Sequence, residues 1–216
     1  MAMDELELLK KDWQKKEGEL PKLSYEEIYK MIWKKSSSIV KWIFYISIIE
    51  FVLPHLLYLL PSARSGFDMY NELGITNLFI GLSILQYAVV FYFIYQFYRR
   101  YREISVLDNA KQLTNNILRT RRTVKNYVIF SLSMILLIFA IIVFGIYSTD
   151  NLVAAFQLEG KALETSPEKL KFIFMVGMSI VGVLFTLLLG GIYFLLYGLL
   201  TRKLSKNHKE LKKLEV

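Results

Sequence analysis

The chain has 216 residues, 54% of them hydrophobic and 15% aromatic, with mean hydropathy +0.36. That is too apolar for an ordinary soluble domain, and long enough for about four membrane spans of roughly 20 residues each. Absent cysteine excludes disulfides and thiolate chemistry, and two histidines, His55 and His208, are too few for a multi-histidine iron or zinc centre.

In chain order, residues 1–38 read as cytoplasmic amphipathic helices. Met3, Leu6, Leu9 or Lys10, and Trp13 make a narrow apolar stripe, with acids leading and lysines following as the helix dipole prefers. Gly18 and Pro21 break that stretch, and Ser24-Tyr-Glu-Glu27 is a capping box that starts a second helix near Tyr25. Tyr25, Ile28, Tyr29, Ile32 and Trp33 form its apolar side. It is either an interfacial helix or a plain extension of the first span. Ser36-Ser-Ser38 reads as a polar cap or hinge at the membrane edge. The cluster contains no companion base for nucleophilic chemistry.

The first span covers 39–60, an outer loop 61–74, and the second span 75–98, which carries no charge. A cytoplasmic helical hairpin follows at 99–126. Its Val106, Ala110, Leu113, Ile117, Thr120 and Val124 recur at alternating steps of four and three, a coiled-coil-like stripe. No proline or glycine interrupts 105–144, so the third span, 127–147, continues that helix. The outer connection 148–171 holds enough apolar residues for a partial helix lying on the membrane. Ser166-Pro167-Glu168 is a helix start. The fourth span, 172–200, is the longest, and the basic tail 201–216 prolongs it through Leu204, Leu211 and Leu214. The expected fold is all-α, an antiparallel four-helix membrane bundle with cytoplasmic helical extensions.

Lysine and arginine counts set the orientation. Of 27, nine precede residue 42, eight lie in the middle loop and six in the tail; the remaining loops hold only Arg64, Lys161, Lys169 and Lys171. Both termini and the middle loop are therefore expected inside. Arg99, Arg100, Arg102, Arg119, Arg121 and Arg122 read as contacts for anionic lipid headgroups rather than nucleic acid. Trp33, Trp42, Tyr92, Tyr95, Phe97, Tyr98 and Tyr101 read as an interfacial aromatic belt.

Centring each span puts Glu50, Gln86 and Thr186 at one depth, a midplane polar layer. Pro54, lacking an N–H, leaves the Glu50 carbonyl without its helical partner, so a kink is expected there. A carboxylate in hydrocarbon costs at least about 2.5 kcal/mol, so Glu50 should point inward and be neutral or paired. It is a register lock, a proton- or ion-handling carboxyl, or a ligand contact. His55, roughly 140° further round the helix, is a poor direct partner. Gly182, Gly190 and Gly198, with Thr186 between the first two, form a small-residue stripe for close helix approach, within the chain or in a homo-oligomer.

There is no Walker loop, dinucleotide fingerprint, HExxH or GxSxG, and no cofactor or metal is implied. The segments Asp4 to Gln14, Ser24 to Lys30, Lys34 to Trp42 and Arg119 to Lys125 resemble an uncharacterised family of bacterial four-span inner-membrane proteins often found with extracytoplasmic-function sigma factors. The resemblance implies the fold, the bacterial inner membrane and a regulatory setting. Some members carry a carotenoid-cleaving oxygenase label, but that chemistry needs more histidine iron ligands than two. The functional expectation is a non-enzymatic regulator or scaffold that holds a cytoplasmic partner through 1–38 and 99–126, a sigma factor being one candidate. The alternative is a small proton- or ion-coupled transporter or channel that uses Glu50.

Overall fold

The computed structural model describes residues 7, 10–11, 24–57, 66–105, 110–150, 152–160 and 165–214, and every regular element among them is a helix. Four helices are long and apolar enough to cross a membrane. Met3, Leu6, Leu9 and Trp13 of the expected stripe, residues 58–65 and residues 106–109 lie outside the described residues.

Helix α1 (Tyr25–Leu57) is 33 residues long. It starts at the Ser24 capping box: the Glu27 amide donates to Ser24 Oγ at 3.2 Å, and the Ser24 amide donates back to Glu27 Oε2 at 2.8 Å. The bond from the Ser24 amide, and after it the one that the Ser24 hydroxyl donates to the same oxygen at 3.0 Å, hold the Glu27 carboxyl below its usual range. The basic stretch before residue 39 is thus a direct extension of the first span. Ser36 sits inside the helix as a fully buried residue rather than at a hinge. The helix also continues through Pro54 to its end.

The outer loop carries a short helix, α2 (Gly66–Glu72). It ends in a turn where the Gly74 amide bonds to the Asn71 carbonyl and the Ile75 amide to the Tyr70 carbonyl. Gly74 takes φ +68°, the left-handed position such a cap requires. Helix α3 (Thr76–Ser105) follows, then the 39-residue α4 (Ala110–Ser148), which joins the hairpin and third span without a break. The outer connection carries the partial helix expected of it, α5 (Leu152–Ala155), which buries Leu152 and Ala155 and packs on α2. Helix α6 (Pro167–Tyr193) has Ser166 at its N-cap, though that hydroxyl makes no capping bond. It passes through a π-helical segment, Phe194–Gly198, into α7 (Leu199–Leu214).

Helix α3 packs on α1 and α4, α6 packs on α4, and α7 fills the space between α1 and α4. Two cores result. At the far end, Leu73, Ile75, Ile142, Ile146, Leu152, Ala155 and Leu170 close the bundle. At the basic end, Ile32, Ile104, Leu113, Ile117, Leu204 and Leu211 meet as a helical bundle of their own. The coiled-coil-like stripe lies inside it: Leu113, Ile117, Thr120 and Val124 are all buried. Each aliphatic side chain buried where water would otherwise reach is worth about 1.5–3 kcal/mol. Two polar bonds fix the register. Trp33 Nε1 donates to the Ile104 carbonyl at 2.7 Å, and Asn207 Nδ2 donates to Ser36 Oγ at 3.0 Å.

The glycine stripe divides. A Cβ on Gly182 would stand 2.7 Å from Phe139 Cγ, and one on Gly190 would touch Leu132, so both face α4. Gly198 instead faces Phe194 of its own helix at 3.1 Å. The π segment changes the phase of the helix there, which a strict four-residue count does not anticipate.

Candidate functional site

Glu50 lies four residues before Pro54 on α1, at a half-buried position. Its partners are tyrosines. Tyr193 Oη donates to Glu50 Oε1, and Tyr197 Oη donates to Oε2 at 2.9 Å. Tyr127 of α4 lies beside the same carboxyl, and Ser131, one turn further along α4, is in reach of the Tyr127 and Tyr193 hydroxyls. Aromatic packing holds the phenols in place. Tyr127 makes edge contacts with Phe93 and Phe97 of α3 at 5.4 and 5.5 Å between centroids, and with Tyr197 at 5.8 Å. Tyr197 and Tyr127 are 1% and 2% exposed.

The π segment places this pair. The Phe194 amide reaches the Gly190 and Gly191 carbonyls, four and three residues back, and the ladder then widens to π-helical bonding over Phe194–Gly198. The wider turn presents Tyr193 and Tyr197 to Glu50 together, their rings 5.9 Å apart. The carboxyl gains two donors from this turn.

The expected layer of Glu50, Gln86 and Thr186 is not what forms. No hydrogen bond joins either residue to Glu50 among the described residues. Thr186 Oγ1 donates to the Gly182 carbonyl in its own helix at 2.7 Å, and Gln86 is half-buried on α3. The reason is geometric. Side chains on helices lean toward the N-terminus. Glu50 therefore leans toward the basic end, while the fourth-span tyrosines lean away from it. They meet although Tyr193 stands two turns, about 10.5 Å, beyond Thr186. Tyr127 opens the apolar stretch of α4, so the cluster sits toward the basic end of the apolar layer rather than at its middle. Spans that run unequally past that layer cannot be levelled by their own midpoints, and the fourth is part of a 46-residue helix.

Pro54 is exposed on α1. One residue on, His55 Nδ1 donates to the Phe51 carbonyl at 2.6 Å, which leaves Nε2 to accept from Tyr87 Oη at 3.0 Å in the neutral ring. His55 thus joins α1 to α3, away from Glu50.

The proposed headgroup arginines also divide. Arg99 and Arg100 share Glu103 at 2.8 and 2.7 Å, because spacings of four and three place all three on one helix face. Arg102, Arg119 and Arg122 are exposed, and Arg121 is half-buried. Of the aromatic belt, Trp42, Tyr92, Tyr95 and Tyr98 are exposed, whereas Phe97 is fully buried core.

No group of three or more potential metal-ligating side chains occurs among the described residues. The cluster offers one carboxyl, three phenols and a serine hydroxyl. Such a set can hold a proton or order a helix pair. A family model described as a domain of unknown function (DUF8845) matches residues 26–216. No curated protein and no solved structure matches the chain.

Proposed function

Since the chain belongs to the DUF8845 family, whose function is undefined, we propose a role from its architecture: a non-enzymatic membrane regulator or scaffold that presents a helical bundle to a cytoplasmic partner. One observation carries this reading. The helix from Pro167 to Lys212 is continuous, and it bears both the tyrosines that hold Glu50 and the leucines Leu204 and Leu211 at the centre of the basic-end bundle. A displacement of that helix in the membrane therefore moves the bundle with it, since packed cores shift between discrete arrangements rather than bending smoothly.

The lysine and arginine distribution supports placing both termini and the basic bundle in the cytoplasm. The resemblance noted above favours the bacterial inner membrane, with a sigma factor as the candidate partner. The apolar sides of 25–36 and 110–124 are used within the bundle. A partner would therefore meet residues 1–23, whose stripe of Met3, Leu6, Leu9 and Trp13 precedes the first buried residue, together with the outer bundle faces. The test compares native-membrane co-purification of the full chain and of a chain lacking residues 1–23, which keeps Ile32 and Ser36. A stoichiometric soluble partner lost on shortening supports the assignment. Equal recovery by both chains refutes it for that segment.

A second reading is favoured by the placement of a carboxyl among three phenols in the apolar layer: proton- or ion-coupled transport through Glu50. In liposomes, Glu50→Gln should then abolish flux while the protein still assembles. Equal flux from both proteins refutes it.

A further inference from the structure

We propose that Glu50, Tyr193, Tyr197, Tyr127 and Ser131 form a membrane-embedded proton-binding site whose occupancy sets how α1 is held against the fourth span. This deepens the regulator reading and rests on it for its consequence, by naming the ligand, a proton, and the bond it rearranges.

The inference starts from hydrogen-bond direction. An ionised carboxyl only accepts, and here both oxygens accept from phenols of one helix. That two-pronged bond ties α1 to the fourth span at the π segment, and it lies where α1 meets the last long helix, since α1 packs on α7 rather than along α6. When the carboxyl takes up a proton, that oxygen must donate, and the phenol facing it must turn its own hydrogen elsewhere. Ser131 supplies the place: it lies in reach of both Tyr193 and Tyr127. Tyr193 can therefore accept from the Glu50 O–H while donating to Ser131. In either state the Glu50 oxygens keep phenol partners; the ionised state is solvated by two phenol donors, and the protonated state is neutral. Only the direction of the Glu50–Tyr193 bond and the strength of the tie differ, charge-assisted bonds being roughly twice as strong as neutral ones.

The surroundings add no competing charge. Helix α4 presents Tyr127 and Ser131, the π segment presents Tyr197 beside Tyr193, and α3 presents Phe93 and Phe97 on Tyr127. On α1, His55 is engaged with Phe51 and Tyr87, and on α7 the nearest cations in sequence, Arg202 and Lys203, are exposed. The helix runs unbroken from the π segment through Leu204 to Leu211, so a change in the tie has a structural path to them.

The experiment uses the full chain in bilayer nanodiscs. Infrared spectra over a pH series read the protonated-carboxyl stretch, with Glu50→Gln as the assignment control. Tyr193→Phe and Ser131→Ala serve as milder variants should Glu50→Gln fail to assemble. Because the chain has no cysteine, spin labels at Lys35→Cys and Lys206→Cys, one residue before the bonded pair Ser36 and Asn207, report the α1–α7 distance in the same samples. The site requires a carboxyl band that titrates, is absent in Glu50→Gln and shifts in Tyr193→Phe and Ser131→Ala. A band that never titrates while the protein stays folded, or that ignores both milder variants, overturns the site. A titrating band with an unmoved spin–spin distance upholds the site and overturns its link to the bundle.

Discussion

Replacing Gly182 and Gly191 separately by alanine should have opposite effects, although the two lie nine residues apart on one helix. At Gly182 the new Cβ would stand 2.7 Å from Phe139 Cγ and 2.8 Å from Phe139 Cβ. The second of these atoms is bonded to the backbone, so a rotamer change cannot remove it and α4 and α6 must separate. Overpacking of this kind costs about 1–3 kcal/mol, and the better helix propensity of alanine returns about 1 kcal/mol. A net loss of up to about 2 kcal/mol is expected. At Gly191 nothing lies within 4 Å, so only the propensity gain of about 0.5–1 kcal/mol remains. Reversible unfolding in mixed micelles, followed by circular dichroism, measures both. Equal shifts for the two variants, or a gain at Gly182, would show that α4 and α6 do not approach as described.

The remaining predictions concern the polar ties. In a double-mutant cycle, Glu50→Gln and Tyr197→Phe should be non-additive by about 1 kcal/mol or more, as expected for a buried charge-assisted bond; additive losses would mean that Tyr197 does not hold the carboxyl. Ser36→Ala leaves the buried Asn207 amide without its acceptor and should cost about 1–3 kcal/mol, whereas Ser38→Ala, at an exposed position, should be nearly silent in the same unfolding assay. Trp33→Phe removes the bond to the Ile104 carbonyl and should lower stability by about 1 kcal/mol. The folded-state pKa of Glu27 is depressed, so its capping contribution is fully present above the unfolded value of 4.5 and is lost as pH falls through the lower folded value. Amide exchange over 24–28 should accordingly be flat from neutral pH down to about 4.5 once corrected for the intrinsic rate, and protection should fall only below that; a Ser24→Ala chain should lack the step.

Much of the fold is legible in the sequence because its signals are local. The Ser24 capping box, the glycine- and proline-free run that makes α4 one helix, and the alternating stripe from Leu113 to Val124 each depend on residues within a few turns. What the sequence hides is relational. Glu50 announces itself as a carboxyl in an apolar run, but its partners follow from side-chain lean and from how far each helix overruns the apolar layer. Neither can be read from span midpoints. Tyr193 and Tyr197 carry only the weak signal of a four-residue tyrosine pair between glycines, since the π segment that aims both at one carboxyl is a cooperative property of the helix. Arg99 and Arg100 show the reverse case: their ion-pair partner Glu103 lies in plain view four and three residues on, and a count of positive charges alone overlooks it.

The central claim is that the carboxyl in the apolar layer and the basic-end bundle are parts of one mechanical unit along the last helix. Hydrogen exchange of that helix in bilayers, comparing the native chain with Glu50→Gln, tests it most directly. The account predicts faster exchange extending from the π segment through Leu204 to Leu211, well beyond the substituted site. Exchange that changes only around residues 190–198, with the amides near Leu204 and Leu211 as protected as before, would contradict it.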